Sequence, residues 1–468
     1  MAGKFTYTVL PRVTLFEKTS DLYVLGSIDT DCSEKNARES NYKTQSIEDE
    51  NGRTILHNIP VILNPDGSIW KHGSLYILSR AMCYDPVGDQ TLKTYAKNLV
   101  DFRNTLAASN VDYLSTPLRR HWRPTYFYKS ELYEKTQQNT LGIRTANGRI
   151  GTVIGLYRYL KLRHDFHPTQ NLWEEKQKKI HFTNSKGFQQ DRTVIVTDLK
   201  IKYSEEIPSG EYIIDGGKLI PYDEDQQKAL IKVLFKTKNT EIILGSLIAI
   251  TSGARLQTAF TLRHENIQDP KKIKGKEVSI LIGRGTNVDN KFNKKMHIYI
   301  PAWLNSLIYT YIHSARHKER CDRFDKSHGE SQYIFLTQHG NPFYISKKDE
   351  RRGADAPIQD GYSIRQFVHK SLAPILESEG ATFKFRFHNL RATFCMNLLE
   401  DKLRQLSKPQ NTTNIMLVLG FVQKRMGHKD IATTERYLRY KHEKALAVSA
   451  QSEFETHLQA MAQSYSFQ

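Results

Sequence analysis

The chain of 468 residues holds only four cysteines, Cys32, Cys83, Cys321 and Cys395, and no CxxC pair. That scarcity argues against a disulfide framework and against a zinc site. Long hydrophobic runs are missing as well. The longest, Ile242 to Ile250, is less than half the roughly 20 residues that a bilayer span requires. The opening MAGKFTYTVLPRV alternates instead of building an apolar signal segment, so a cytoplasmic address is expected. Acidic residues are the third shortage: 50 Asp and Glu face 68 Lys and Arg, a formal net charge of +18. An excess of that size makes a polyanion the leading class of partner. With 39% hydrophobic residues the chain still has ample material for more than one buried core.

The patterning changes along the chain. Residues 1–82 read as an accessory region with strands: FTYTVL alternates, and ILHNIPVILNPDGSIW sets two apolar runs around the turn Asn64-Pro65-Asp66-Gly67. From Asp89 the period becomes helical, with Leu92, Tyr95, Ala96, Leu99, Phe102 and Leu106 on one face. Ile150, Val153, Ile154, Tyr157 and Leu160 imply another helix, so 83–180 reads as a helical domain. Its cations Arg119, Arg120, Arg123, Arg144, Arg149, Arg158 and Lys161 alternate with Trp122, Tyr126, Phe127, Tyr128 and Tyr133. Such a mixture suits a surface that contacts phosphates, or else the solvated face of an ordinary bundle. A linker with a short hairpin is expected over 181–218, from TVIVTDL, EYIID and the turns Pro208-Ser209-Gly210 and Gly216-Gly217. Helices and three short strands (VSILIG, MHIYIP, YIFLT) fill 219–447, and a helical tail occupies 448–468. The fold class is mainly α with small β elements.

Taken singly, the polar motifs are weak. HxxR occurs at His313/Arg316, His317/Arg320 and His388/Arg391, and the first two, in YIHSARHKER, read as a charged outer helical face. The third opens the apolar helix of FRFHNLRATFCMNLL, a rigid element suited to a site. Upstream, Arg255 follows Ser252-Gly253-Ala254; downstream, Gly427-His428 is the chain's only Gly-His dipeptide, and Tyr437 lies nine residues beyond it.

The order of these pieces, SGAR, a basic β-hairpin, HNLR, MGH and a tyrosine nine residues on, resembles the catalytic signature of the tyrosine recombinase family, the phage integrases. The resemblance covers about 219–445 as a mixed α/β catalytic domain and, more loosely, 85–175 as a helical core-binding domain, together implying a C-shaped clamp on DNA. It implies cleavage and rejoining of DNA strands at recombination sites through a 3′-phosphotyrosyl link, without metal or ATP. Arg255 and Arg391 would fork the scissile phosphate, a task for a planar, permanently charged guanidinium. His388 and His428 would contact the phosphate or move a proton, and which does which stays open. Tyr437 would be the nucleophile, with Tyr440 one turn further as the runner-up. The general acid would be a hairpin lysine, Lys291 by its place in NKFNK, with Lys294 and Lys295 as alternatives.

Three departures mark a divergent branch: Thr258 where many members have an acidic residue, Met426 in place of the common leucine, and an extended stretch from Glu400 to Asn414. By resemblance, partners would be double-stranded DNA sites, further copies of the chain from dimer to tetramer on DNA, and accessory DNA-bending or directionality proteins; no membrane is involved. On DNA the protein would associate with the nucleoid. Type IB topoisomerase-like relaxation and a catalytically silent DNA-binding regulator are the alternatives.

Overall fold

The computed structural model describes residues 3–20, 42–163, 166–183, 189–202, 211–291, 293–324, 331–347, 349, 359–406 and 412–464. Cys32 and the turn Pro208-Ser209-Gly210 lie outside them, as does part of the stretch from Glu400 to Asn414. The chain divides into two compact units, Met1–Glu205 and Glu206–Arg352 with Ile358–Gln468.

In the first unit β1 (Thr6–Thr14) pairs antiparallel with β4 (Ile55–Leu63), and β2 (Phe16–Ser20) with β3 (Tyr42–Ser46). The expected turn closes β4: Gly67 at φ +84° donates to the Asn64 carbonyl at 3.0 Å, and Asp66 caps Ser68. Beyond it lies α1 (Lys71–Met82), a helix that the strand-rich reading of residues 1–82 did not contain. Next come α2 (Asp89–Ala108), α3 (Pro124–Gln137) and α4 (Ile143–Arg163). Helix α2 buries Leu92, Ala96, Leu99, Phe102 and Leu106, the face that its periodicity predicts. The strands and helices share one core, in which Leu56, Ile62 and Trp70 join Leu99, Phe102 and Leu156. Regions 1–82 and 83–180 are thus one packed body, because an isolated two-stranded ribbon is marginal in water. The hairpin of β5 (Glu175–Thr183) and β6 (Gln189–Thr197) closes the unit, starting ahead of the expected linker.

The second unit opens with a two-residue-per-strand hairpin, β7 (Ile213–Ile214) and β8 (Lys218–Leu219), followed by α5 (Glu224–Lys236) behind an Asp223–Gln226 capping box. Helix α6 (Thr240–Ser252) is apolar nearly all round and correspondingly buried. After α7 (Leu256–Phe260), β9 (Glu277–Ile282) and β10 (Met296–Pro301) form the expected antiparallel hairpin, leading into α8 (Ala302–Ile312) and α9 (Ala315–Arg323). YIFLT is no third strand. It makes only isolated bridges, Arg263 with Tyr333 and Leu336 with Pro342. Helices α10 (Tyr362–Phe367) and α11 (Ala373–Ser378) are joined by a π turn, and α12 (Phe387–Arg404), α13 (Thr412–Met426) and α14 (Ile431–Ser464) complete the chain. The 448–468 tail therefore continues α14 as far as Ser464. No described helix is long and apolar enough to cross a membrane.

Among the described residues, two main cores organise this unit, beside a small cluster of Tyr333, Leu336 and Ile345. The larger joins Leu247, Ile248, Phe260, Ile280, Ile300, Leu304 and Phe335; the smaller joins Ile213 and Leu219 to Phe394, Cys395, Val422, Met426, Tyr437 and Tyr440. The outer charged face expected for YIHSARHKER is corrected by Glu241, which is fully buried on α6. Its carboxylate draws in Arg316 and Arg320, each at 2.8 Å, and the Tyr311 hydroxyl at 2.8 Å. His317 (1% exposed) and Arg320 are buried with it, since a carboxylate this deep requires compensation.

Candidate active site

Arg391 is the hub. Seated in the second turn of α12 and 4% exposed, it spends Nη1 on the Gly253 carbonyl at 2.8 Å and Nη2 on the Met426 carbonyl at 3.0 Å. These acceptors stand at the C-termini of α6 and α13, where unpaired carbonyls and the negative end of the helix dipole welcome a cation. Both helix ends turn through left-handed glycines. Gly253 has φ +69°, and a Cβ there would lie 2.7 Å from Phe394 Cδ1; Gly427 has φ +67°, and a Cβ there would lie 2.5 Å from Met296 Cε. Only glycine combines that conformation with that clearance. The same turns deliver Arg255, two residues past Gly253, and His428, next after Gly427.

The remaining groups meet at a residue that the sequence reading did not select. Asp215, in the β7–β8 turn, accepts from Arg391 Nε at 3.0 Å and from the Tyr437 hydroxyl at 3.1 Å through Oδ2, which also lies 3.2 Å from His428 Nε2. Its Oδ1 lies 3.6 Å from Arg255 Nη2, and its backbone carbonyl 3.2 Å from His388 Nε2. Four of the six expected catalytic residues, Arg255, Arg391, His428 and Tyr437, thus face one carboxylate, and a fifth, His388, reaches the backbone carbonyl of the same residue. Lys291, the sixth, is exposed on the β9–β10 connection. Its Nζ lies 3.2 Å from the point where a Cβ on Gly216 would sit, and His388 Nε2 is 3.7 Å from that point. The buried Asp289, held by Gln257 at 2.9 Å and Ser346 at 2.9 Å, anchors that connection two residues before Lys291. Tyr440 is in the smaller core, and among the described residues it makes none of these contacts.

Charge balance follows from burial. Burial alone would raise the Asp215 pKa, but the His428 hydrogen bond and the guanidiniums of Arg391 and Arg255 hold it far below the carboxylate range. Burial, with Arg391 beside it, brings Arg255 down to about 10, still protonated at neutral pH. Burial also lowers His388 and His428 despite the opposing Asp215, so both rings are neutral at pH 7. His428 then donates from Nε2 to Asp215 and accepts the Thr434 hydroxyl at Nδ1, 2.9 Å away. Burial pushes the Tyr437 phenol well up, and its ring stacks on His428 with centroids 5.9 Å apart. One donor of the site is idle: among the described residues Arg255 Nε is buried without a hydrogen-bond partner. The site is therefore an anion seat made of two guanidiniums, the His428 imidazole and a phenol, occupied by the chain's own carboxylate, with His388 beside it on the Asp215 backbone carbonyl.

Among the described residues one group has metal-ligating composition, His264, His317 and Cys321. Its ring nitrogens already satisfy each other, with His264 Nε2 and His317 Nε2 2.7 Å apart. Among the described residues His317 Nδ1 is buried without a partner and so lacks the brace that metal-bound imidazoles have. We read it as a polar core cluster.

The basic set of the first unit separates on inspection. Arg119, Arg144, Arg158 and Lys161 are exposed. Arg158 pairs with Glu175 at 2.7 Å, and Arg120 with Asp198. Arg149 is bound to Asp101 at 2.7 Å. Arg123 is structural: its guanidinium donates to the carbonyls of Pro117, Asn171 and Leu118 and to the Gln170 side chain. Sequence reading missed a groove lined by Lys129, Tyr133, Lys176, Lys178, Lys200 and Lys202, visible in sequence only as the KQKK run.

No family model matches the chain, and no curated protein does. Solved structures of site-specific recombinases and integrases are similar to it. The XerH recombinase in a post-cleavage complex with difH is 15% identical, with TM-score 0.44 over 75% of this chain and 76% of that one. The Tn1549 transposon integrase with a circular intermediate DNA is 14% identical, with TM-score 0.44 over 78% and 93%. A lambda integrase dimer on a COC′ core site is 12% identical, with TM-score 0.44 over 78% and 94%.

Proposed function

We propose that the chain is a tyrosine recombinase, a site-specific enzyme that cuts and rejoins DNA strands through a phosphotyrosyl intermediate. The observation that carries this reading is the convergence of Arg255, Arg391, His428 and Tyr437 on a single anion position, with His388 and Lys291 beside it. A scissile phosphate seated there takes the two guanidiniums on its non-bridging oxygens and satisfies the idle Arg255 Nε. The Tyr437 oxygen attacks phosphorus, forming the P–OTyr bond as the bond from phosphorus to the 5′-oxygen breaks. The phenol proton passes to a neutral imidazole, and Lys291 protonates the departing oxygen. The 3′-phosphotyrosyl ester stores the bond, so attack by a 5′-hydroxyl reseals the strand without ATP. Fixed cations take the place of metal as stabilisers of the phosphorane charge.

The exposed cations of the first unit supply affinity through phosphate contacts. The exposed Phe454, Leu458 and Met461, at i, i+4 and i+7 on α14, suit docking on another copy in an assembly on DNA. The test is covalent trapping: purified protein incubated with fragmented DNA, denatured and sequenced for bound ends, yields a 3′-linked adduct at defined sites, and Tyr437→Phe yields none. Exchange between two labelled duplexes separates recombination from plasmid relaxation, and absence of any adduct with the natural chain points to a silent regulator.

A further inference from the structure

The seat that a phosphate would need is taken. Asp215 is 6% exposed and Tyr437 0%, so in this state no phosphodiester reaches the phenol. The covering element is slight. Strands β7 and β8 pair over two residues each, Asp215 N–H reaches the Gly217 carbonyl at 3.2 Å, and Gly216 turns the chain at φ +72°. Ile213 and Leu219 plug into the smaller core on either side, and Arg436 Nη1 holds the Ile214 carbonyl at 3.0 Å. The hairpin has little backbone pairing of its own, and most of its polar anchorage runs through Asp215 to the residues that the reaction needs.

We propose that the Asp215 hairpin is an autoinhibitory plug: its carboxylate mimics the scissile phosphate, and the chain becomes competent only when DNA or another copy draws the hairpin out. This deepens the recombinase reading and rests on it for the identity of the displaced ligand. A carboxylate offers two anionic oxygens where a phosphodiester offers two non-bridging ones, so the same donors serve both, and only one fits at a time. Because Asp215 stays ionised throughout the working pH range, mass action and mechanical withdrawal release it, and mild acid does not. The groups facing it are Arg255, Arg391, His388, His428 and Tyr437, with Lys291 beside Gly216. Arg391 is held by the Gly253 and Met426 carbonyls and His428 by the Thr434 hydroxyl, so withdrawal of Asp215 exposes a seat whose hub is already built.

The experiment uses the full chain and two variants. Asp215→Asn keeps the size and removes the charge. Gly216→Ala keeps the carboxylate and strains the turn, since alanine is disfavoured at φ +72° and its Cβ would lie 3.2 Å from Lys291 Nζ. One readout is affinity for inorganic phosphate by calorimetry; the other is the single-turnover rate of covalent adduct formation on trapped DNA sites. If the plug keeps the seat open in about one molecule in ten, both variants bind phosphate about tenfold more tightly and form adduct about tenfold faster. Unchanged phosphate affinity in both overturns the plug. Slower adduct formation in Asp215→Asn with unchanged phosphate affinity overturns it in favour of Asp215 as the acceptor of the Tyr437 proton. Tighter phosphate binding with no adduct from any variant or from the natural chain retains the plug and refutes the recombinase reading.

Discussion

The two units use their positive charge in opposite ways. In the second, Arg255 and Arg391 lie within reach of one carboxylate, largely withdrawn from water and aimed by helix ends. In the first, cations are spread over a surface and each has a private arrangement: Arg120 over the Tyr126 ring, Arg158 on Glu175, Lys161 above Trp173 at 5.1 Å. Concentrated, buried charge costs desolvation and stabilises charge that develops in a transition state. Dispersed, wet charge costs little, releases counterions and holds a polyanion in place. Composition gives only the +18 of the whole chain, and placement separates chemistry from affinity.

The contrast breaks first at the buried end. Tyr437→Phe is expected to retain DNA affinity and lose the adduct entirely, and an adduct of undiminished yield would transfer the role to Tyr440. Arg391→Ala should cost about 3–5 kcal/mol of stability as well as activity, because it strips the counter-charge from Asp215 and the donor from two helix ends. Arg391→Lys keeps a charge but cannot reach the Gly253 and Met426 carbonyls together, so urea midpoints should fall as Ala, then Lys, then the natural chain. Equal midpoints for all three would show that the hub is not structural.

A smaller effect tests the dispersed end. Replacing Arg119, Arg144 and Lys161 together by Ala should weaken specific and random duplexes alike, and flatten the log–log salt slope by about one per lost phosphate contact. Arg123→Ala should lower thermal stability and leave that slope unchanged, since its donors are spent on carbonyls. Should the Arg123 variant alone flatten the slope, the division between brace and contact is wrong.

The smallest effect is a pH dependence. Burial brings His264 and His317 each down to about 4 from an ordinary 6.5. Between those values the unfolded chain binds protons that the folded chain refuses, so stability falls as pH drops from about 6.5 to 4. Urea midpoints across that window should decline, with a shallower decline in His264→Gln; a flat profile would mean that the cluster accepts protons while folded.

Much of this was legible. Leu92 to Leu106 announced α2 because one face of a helix repeats every 3.6 residues, and the order of Arg255, His388, Arg391, His428 and Tyr437 announced a site. Glu241 and Asp215 were not legible. A single carboxylate in an apolar helix, or in an Asp-Gly-Gly turn, carries no local sign of partners 75 or 222 residues away. YIFLT failed as a strand for a related reason: Ile334 and Phe335 fill the larger core, and Tyr333 and Leu336 a small separate cluster, without a neighbouring strand to complete a ladder. The buried His317 escaped the pattern of its own helix because Glu241, on another helix, decides which way the charges face.

One consequence lies in how Arg391 is mounted. Its guanidinium spans the Gly253 and Met426 carbonyls, so it works as a rivet between the ends of α6 and α13. Spreading those ends slightly would leave every backbone hydrogen bond of both helices intact and still pull the Arg391 Nε off the anion seat. Catalysis in this chain should therefore fail ahead of unfolding, at a temperature or denaturant concentration where the helical signal is still whole. The margin between the two failures measures the strength of that one joint.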